Sequence, residues 1–377
     1  KVTVVIPVYN EEKVIEKTVM SVLDSNYPSY EVIVVDDGST DTSSEILLKM
    51  EKNYRGRLMV LYQENQGKFA ALNNGFAASK GEIIVAIDAD THILANTVSA
   101  LARHFKDPRV GAVAGNIKVG NRINWLTILQ ELDYRMALNL ERRAFSLINA
   151  VYVIPGAVGG WRKEALEKAG GFTNSTLTED AEAGMRIRRL GYRINYESKA
   201  IAYTEVPVDL KSLIRQRFRW TFGSLQTLWL HKDVLFRPQY GYLGMLVFPY
   251  TVFIQIPSMV LAPIIEFSAI PVAIFISTKI ILVSLFGLLL ARLLLFIIAS
   301  KFDGEDTKLS AFVLPYRFFY QILWYFVLDY SILVALRGSL IAWQKMNHQG
   351  TIDLGDVQTD YSYSVGSDIK LSKTDKS

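Results

Sequence analysis

The sequence predicts an α/β fold with a mostly parallel central sheet, continued at its C-terminal end into interfacial and transmembrane α-helices. Two observations carry this expectation. Up to about residue 205, short β-rich apolar runs alternate with stretches of helical spacing, the pattern of strand–helix–strand units. Beyond about residue 240 the text is almost continuously apolar, and the 377-residue chain as a whole is 50% hydrophobic, which is rare for a soluble protein of this size.

The elements follow in order. Residues 2–8 are a short apolar strand. Residues 11–25 have helical spacing, with Val14, Ile15, Val19, Val22 and Leu23 on one side. A second buried strand, 31–35, runs into Asp36-Asp37-Gly38-Ser39. A helix at 42–52, a strand at 57–62, a helix at 68–79, a strand at 82–87 and a helix at 94–105 come next. Sheets built this way take ligands outside the carboxyl ends of their strands. The acidic clusters Asp36-Asp37 and Asp88-Ala89-Asp90 both fall there. Residues 124–149 read as one long helix, and 178–191 as another, with Thr178 as N-cap and Gly191 as stop.

Residues 209–231 form an amphipathic helix rich in Arg and Trp, a composition suited to the water–lipid boundary. The stretch 246–276 is apolar but broken by Pro249, Pro257, Pro263 and Pro271. Lys279 marks a turn, and 280–300 is a cleaner span of the ~20 residues that a bilayer core requires. After a polar loop at 301–308, residues 311–336 either span or lie in the interface. Lys301, Lys308, Arg337 and Lys345 favour the cytosolic side for both flanks, which requires an interfacial or re-entrant segment. The tail from 351 is polar and expected to be disordered. The expected division is therefore a cytosolic domain 1–208, an interfacial region 209–239, membrane helices 240–350 and a tail 351–377.

Composition excludes several chemistries. A formal charge of +4 is too small to argue for nucleic acid. With no cysteine there is no disulfide, thiolate nucleophile or cysteine-based zinc site. The four histidines, His92, His104, His231 and His348, lack metal-ligand spacing and read as structural. The basic run Arg186-Ile187-Arg188-Arg189 is compatible with a solvated helix face. No signal peptide is visible, and because the chain opens on Lys1 instead of Met, residues upstream of it are expected.

Four clusters point to chemistry. Asp88 and Asp90, at i and i+2 where a strand gives way to a loop, suit one hard cation, Mg2+ or Mn2+, shared with substrate phosphates. Asp36 and Asp37 precede Gly38, which allows a tight turn; they can accept hydrogen bonds from a base or ribose, or simply form the turn. Thr178-Glu179-Asp180 opens a helix, where acidic residues are favoured for dipole reasons alone. In Gln216-Arg217-Phe218-Arg219-Trp220 the i, i+3, i+4 spacing puts Gln216, Arg219 and Trp220 on one face. There Arg219 can grip a diphosphate and Trp220 can stack on a sugar, or both can be membrane-surface anchors.

Taken together, these residues resemble the inverting family 2 glycosyltransferases with the GT-A fold. Within them the likeness is to the processive membrane synthases of poly-N-acetylglucosamine, chitin oligosaccharide, hyaluronan and cellulose. The text that carries it is Ile6-Pro7-Val8-Tyr9-Asn10-Glu11, Val35 to Thr40, Asn65 to Lys68 with Ala71-Leu72-Asn73, Asp88 to Asp90, Thr178 to Asp180 and Gln216 to Trp220. The resemblance implies that Pro7, Tyr9, Glu11, Asp36, Asp37 and Lys68 line the nucleotide site. It implies that Asp88 and Asp90 serve the diphosphate and metal, with Asp90 the closer ligand. Asp180 would be the general base with Glu179 beside it, and Gln216, Arg219 and Trp220 would close over the diphosphate and acceptor end. Gly156, in Pro155 to Arg162, would lie beside the donor sugar, although a plain turn explains that text nearly as well. Trp343-Gln344-Lys345 lies where related synthases carry a mobile gating loop, with text that departs from theirs.

The implied activity is polymerisation of a β-linked polysaccharide from a UDP-sugar, first of all UDP-GlcNAc, with export through the chain's own helices. The implied partners are the UDP-sugar, the growing polysaccharide and the lipid bilayer, with the catalytic domain cytosolic at the cell membrane and no nucleic acid. A cellulose-like or hyaluronan-like synthase using another donor is one alternative. A non-processive transferase acting on a polyprenyl phosphate is the other, and a catalytically dead scaffold conflicts with the intact carboxylates at 88, 90 and 180.

Overall fold

In the computed structural model, which describes residues 1–275, 277–337 and 348–352, the first half of the chain alternates as its apolar periodicity requires. Strands β1 (Val2–Val8), β2 (Tyr30–Asp37), β3 (Leu58–Gln63) and β4 (Ile83–Ala86) are joined by helices α1 (Ile15–Leu23), α2 (Ser43–Asn53) and α3 (Lys68–Ala78). All their pairings are parallel, with β1 between β2 and β4. Period-two alternation sends Val4 and Ile6 to one face of β1, against α1 and α2, and Val5 to the other, against α3. Helices therefore cover both faces, and the inner strands β1 and β2 bury nearly every residue.

The second half adds β5 (Thr91–Ile93), α4 (Thr97–Ala102), β6 (Val110–Val119), α5 (Trp125–Asp133), α6 (Leu140–Leu147), β7 (Gly159–Arg162), α7 (Lys163–Lys168), α8 (Glu179–Arg189) and β8 (Arg193–Thr204). The sheet order is β3-β2-β1-β4-β7-β6-β8-β5, with β7 antiparallel to both of its neighbours. The sheet is thus mixed but mostly parallel, as the sequence leads one to expect. Strands β5 to β8 escaped the sequence reading because glycine, alanine and charged residues dilute their β signal.

Four local expectations change. The helix expected over 124–149 is α5 and α6 separated by a π-helical segment, Tyr134–Asn139. Thr178 stands at the N-cap of α8, but its side chain makes no capping bond. Lys279 lies inside a helix that begins at Thr278, capped one residue earlier by Ser277. The 186–189 run is not a solvated face: Arg188 is buried against Asn149, and Arg186 holds Glu182 and the carbonyl of Gly171.

Helix α9 (Leu210–Leu230) leaves the domain, capped by Asp209, which accepts from Ser212 N at 2.9 Å. It leads into α10 (Ile256–Phe275), α11 (Thr278–Phe302) and α12 (Gln321–Leu336), with π-helical turns at Leu243–Val247, Thr251–Gln255 and Tyr316–Tyr320. By length and composition, three helical stretches are apolar enough to cross a membrane: Leu243–Ser268, Thr278–Phe302 and Lys308–Leu336. The loop after α11 is pinned to the catalytic-side domain. Asp303 pairs with Arg143 at 2.9 Å, and Glu305 pairs with Lys118 and with Arg135, the latter at 3.1 Å. Helix α12 lies along α9, with Tyr330 against Phe218 at 5.5 Å. Residues 348–352 return to the domain, where Ile352 is buried against Leu94, Ile201 and Tyr203. The expected gate residues Trp343 and Lys345, and the tail from 353, lie outside the described residues.

Candidate active site

Three strand ends and two helix starts converge on one cavity of about 890 Å³. From β1 come Pro7, Tyr9 and Glu11; from β2, Asp37; from the end of β4, Asp88 and Asp90. The start of α3 gives Lys68, and the start of α8 gives Glu179 and Asp180. Helix α9 contributes Gln216, Arg219 and Trp220. Every site residue expected from the sequence lines this space except Asp36. That carboxylate is buried and accepts from Ser39 N at 2.9 Å and from the Ser44 hydroxyl, so it holds the turn.

Asp37 shapes the neighbouring loop. Its carboxylate accepts from Gln66 N at 2.9 Å, Gly67 N at 2.8 Å and Gln63 Nε2 at 2.7 Å. Gly38 sits at φ +74°, and a Cβ there would come within 2.8 Å of Asn65 N, so the turn requires glycine. The loop delivers Lys68, whose Nζ lies 2.6 Å from Asp88 Oδ1 and 3.1 Å from Glu179 Oε1. Burial alone would lower the Lys68 ammonium pKa, but Asp88, Glu179 and Asp180 outweigh it and raise the value.

Asp180 is held from both sides. Gly156 N donates to Oδ2 and Ala181 N to Oδ1, each at 2.8 Å. Burial, reinforced by Glu179, pushes its carboxyl pKa up to about 6. Gly156 is hemmed in: an added Cβ would lie 2.7 Å from Lys68 Nζ and 3.2 Å from Asp88 Oδ2. Helix α9 is brought against the start of α8 by Gly223, where a Cβ would come within 2.7 Å of Thr178 Cγ2, and by Gln226, whose Oε1 accepts from Leu177 N at 2.9 Å. Gln216 Oε1 is buried without a hydrogen-bond partner among the described residues.

His348 is a site residue that its sequence neighbours did not reveal. Its Nδ1 lies 2.9 Å from Glu11 Oε2, and its Nε2 lies 3.2 Å from Asp90 Oδ2 without forming a hydrogen bond. Burial would lower the imidazole pKa, but Asp90 and Glu11 push it up to about 9. The following backbone is clamped by Glu205, which accepts from Gln349 N, Gly350 N and Thr351 Oγ1, each at 2.9 Å. Asp90 is raised to about 6, chiefly by burial. Glu141 and Arg142 also line the cavity and belong to no motif. Past Trp220 the cavity continues among Tyr250, Gln255, Met259, Arg292 and Trp324.

Asp90 and Asp88 offer oxygen donors of the kind a hard divalent cation takes. Among the described residues no group of three or more His, Asp or Glu side chains converges in metal-ligand geometry. That fits an ion whose remaining ligands are diphosphate oxygens and water.

Comparison with known proteins agrees with this geometry. Residues 3–170 match the model of glycosyl transferase family 2. Poly-beta-1,6-N-acetyl-D-glucosamine synthase of Staphylococcus aureus strain COL is 33% identical over 228 residues, which are 60% of this chain and 55% of the relative. The protein of the same name from Staphylococcus epidermidis is 33% identical over 221 residues, 58% of this chain and 53% of the relative. The chain thus spans about half the length of the curated relatives it matches. A solved mannosyltransferase from Pyrobaculum calidifontis, in complex with GDP-Man and Mn2+, superposes with a TM-score of 0.60, covering 90% of this chain and 88% of that one at 22% identity. That likeness shows a GT-A-like fold. Over residues 3–170 the chain is thus similar to glycosyl transferase family 2.

Proposed function

We propose that this chain is a membrane-bound, inverting and processive glycosyltransferase that builds a β-linked polymer of N-acetylglucosamine from UDP-GlcNAc. The observation that carries the reading is the continuity of one cavity. It runs from the nucleotide-side carboxylates, past the half-buried Asp180, to Trp220 and in among the apolar helices. The name of the relatives supports the choice of sugar.

The chemistry follows from the placement of the groups. Asp180, fixed by Gly156 N and Ala181 N, takes the proton from an acceptor hydroxyl. The freed oxygen attacks the anomeric carbon from the face opposite UDP, the bond from that carbon to the phosphate oxygen breaks, and an α-linked donor becomes a β-linked product. Arg219 and Gln216, which line the same cavity, would meet the departing diphosphate. A divalent cation, Mg2+ or Mn2+, held by Asp90 and Asp88, would neutralise charge on that diphosphate when bound. Lys68 orients Asp88. The growing chain would leave along the continuation of the cavity and cross the membrane there.

The test is UDP release by the full chain in detergent or lipid, with UDP-GlcNAc, UDP-glucose, UDP-glucuronate and UDP-galactose, followed by sizing of the product. A high-mass product from UDP-GlcNAc is expected. A one-sugar product formed only with added polyprenyl phosphate would replace polymerisation with lipid glycosylation.

A further inference from the structure

Behind Trp220 lies a buried group that the proposed mechanism does not use. Arg217 is 1% exposed and lines no part of the cavity. Its guanidinium stands 4.2 Å from the centre of the Trp220 ring and 5.2 Å from that of Trp324. Both indoles line the cavity, so the cation lies against two rings that also border that space. Its Nε donates to the Tyr320 hydroxyl at 3.0 Å, and its Nη2 lies 3.3 Å from Asp133 Oδ2. Asp133 in turn accepts from the hydroxyls of Tyr316 at 3.0 Å and Tyr320 at 3.2 Å. Tyr134 closes the assembly against Trp220 at 6.3 Å.

A fully buried arginine is costly unless its charge and its donors are met, and the cost of breaking such a set falls on everything the set holds. Here it joins three elements: α5, α9 and the turn leading into α12. Two of them depart from α-helical geometry at the point of contact. The π segment Tyr134–Asn139 begins right after Asp133, and the π segment Tyr316–Tyr320 contains both tyrosines. Such insertions re-aim side chains and recur at functional sites.

We propose that Arg217 is a positioning residue that fixes the plane of Trp220 at the acceptor end of the cavity, and that Tyr320 acts on the acceptor only through it. A flat, charged group against two indoles sets their spacing and tilt in a way that a lysine ammonium, lacking a plane, does not. This inference rests on the reading of Trp220 as the surface that receives the acceptor sugar.

The experiment uses the full chain in lipid, with UDP-GlcNAc and an N-acetylglucosamine oligosaccharide primer, and measures donor KM and primer KM separately. The variants are Arg217→Lys, Tyr320→Phe and Trp220→Ala. Tyr320 lines no part of the cavity, and Tyr320→Phe removes one hydroxyl while leaving the ring, so it remains interpretable if Arg217→Lys fails to fold. Arg217→Lys is expected to raise primer KM about tenfold, the loss of one desolvated cation–π contact, and Tyr320→Phe less, with donor KM unchanged in both. Primer KM unchanged in both while Trp220→Ala raises it would overturn the role of Arg217. An equal loss on donor and primer sides would do so too, since that is what general loosening produces. If Trp220→Ala itself leaves primer KM unchanged, the acceptor reading of Trp220 fails, and this inference with it.

Discussion

Asp180 joins a site-scale role to a burial-scale property. Its two backbone donors orient the carboxylate, while burial and Glu179 push its pKa up to about 6. Only the ionised form accepts a proton, so the transfer rate should rise with pH through about 6 and level off above it. A rate that is flat from pH 5 to pH 8 would contradict this. Asp180→Asn should keep UDP binding and lose transfer by about 10³-fold, the usual scale for a general base; calorimetry with UDP separates the two effects. Gly156→Ala is a finer probe. Its methyl would push Lys68 away from Asp88, and donor KM should rise about tenfold while the fold, followed by its thermal transition, stays intact. Asp180 and Asp90 were legible because each ends a recognisable run. Arg217 was not, since its charge reads as one more surface cation until the helices around it are assembled.

At the scale of elements, the sequence left the segment 311–336 undecided between spanning and lying in the interface. The structure supplies contacts at both of its ends and along its length. The loop before it is ion-paired to Lys118, Arg135 and Arg143, and α12 runs beside the amphipathic α9. Residues 348–351 are bound by Glu205. These contacts favour an interfacial position on the catalytic side. The cysteine-free chain gives a clean test. In sealed vesicles, Lys308→Cys and Arg337→Cys should both react with an impermeant maleimide from the same face. Labelling from opposite faces would make Lys308–Leu336 a true span.

At the scale of the molecule, two kinds of contact couple the sheet domain to the apolar helices. One is the core of Leu126, Leu129, Leu213, Phe296 and Tyr316. The other is the dock around Glu305, which meets the nearly buried Lys118 and Arg135. Burial alone would raise the Glu305 pKa, but Lys118 and Arg135 outweigh it and lower it. A depressed carboxylate stabilises above its unfolded pKa, and that stability disappears as pH falls through the folded value. Glu305→Ala leaves Lys118 without its carboxylate, while Arg135 keeps Glu131, and should cost on the order of 2 kcal/mol, less than a fully buried pair because Glu305 retains some solvent contact. Its Tm should fall, and the gap from the native protein should narrow in acid; an unchanged Tm at neutral pH would mean that the dock is not structural.

By itself the sequence determined the alternating α/β domain, the apolar helices and the motif residues that line the cavity. Period and strand-end position are local properties, carried by residues a few places apart. Tertiary structure alone decided that Asp36 turns away from the cavity while Asp37 stays. It alone brought His348 to Asp90 and Glu11, more than 250 residues distant in the chain, and made Arg217 a buried cation against two indoles. Each depends on which surfaces meet once the sheet is closed and the helices are docked, and no spacing within a single segment encodes that.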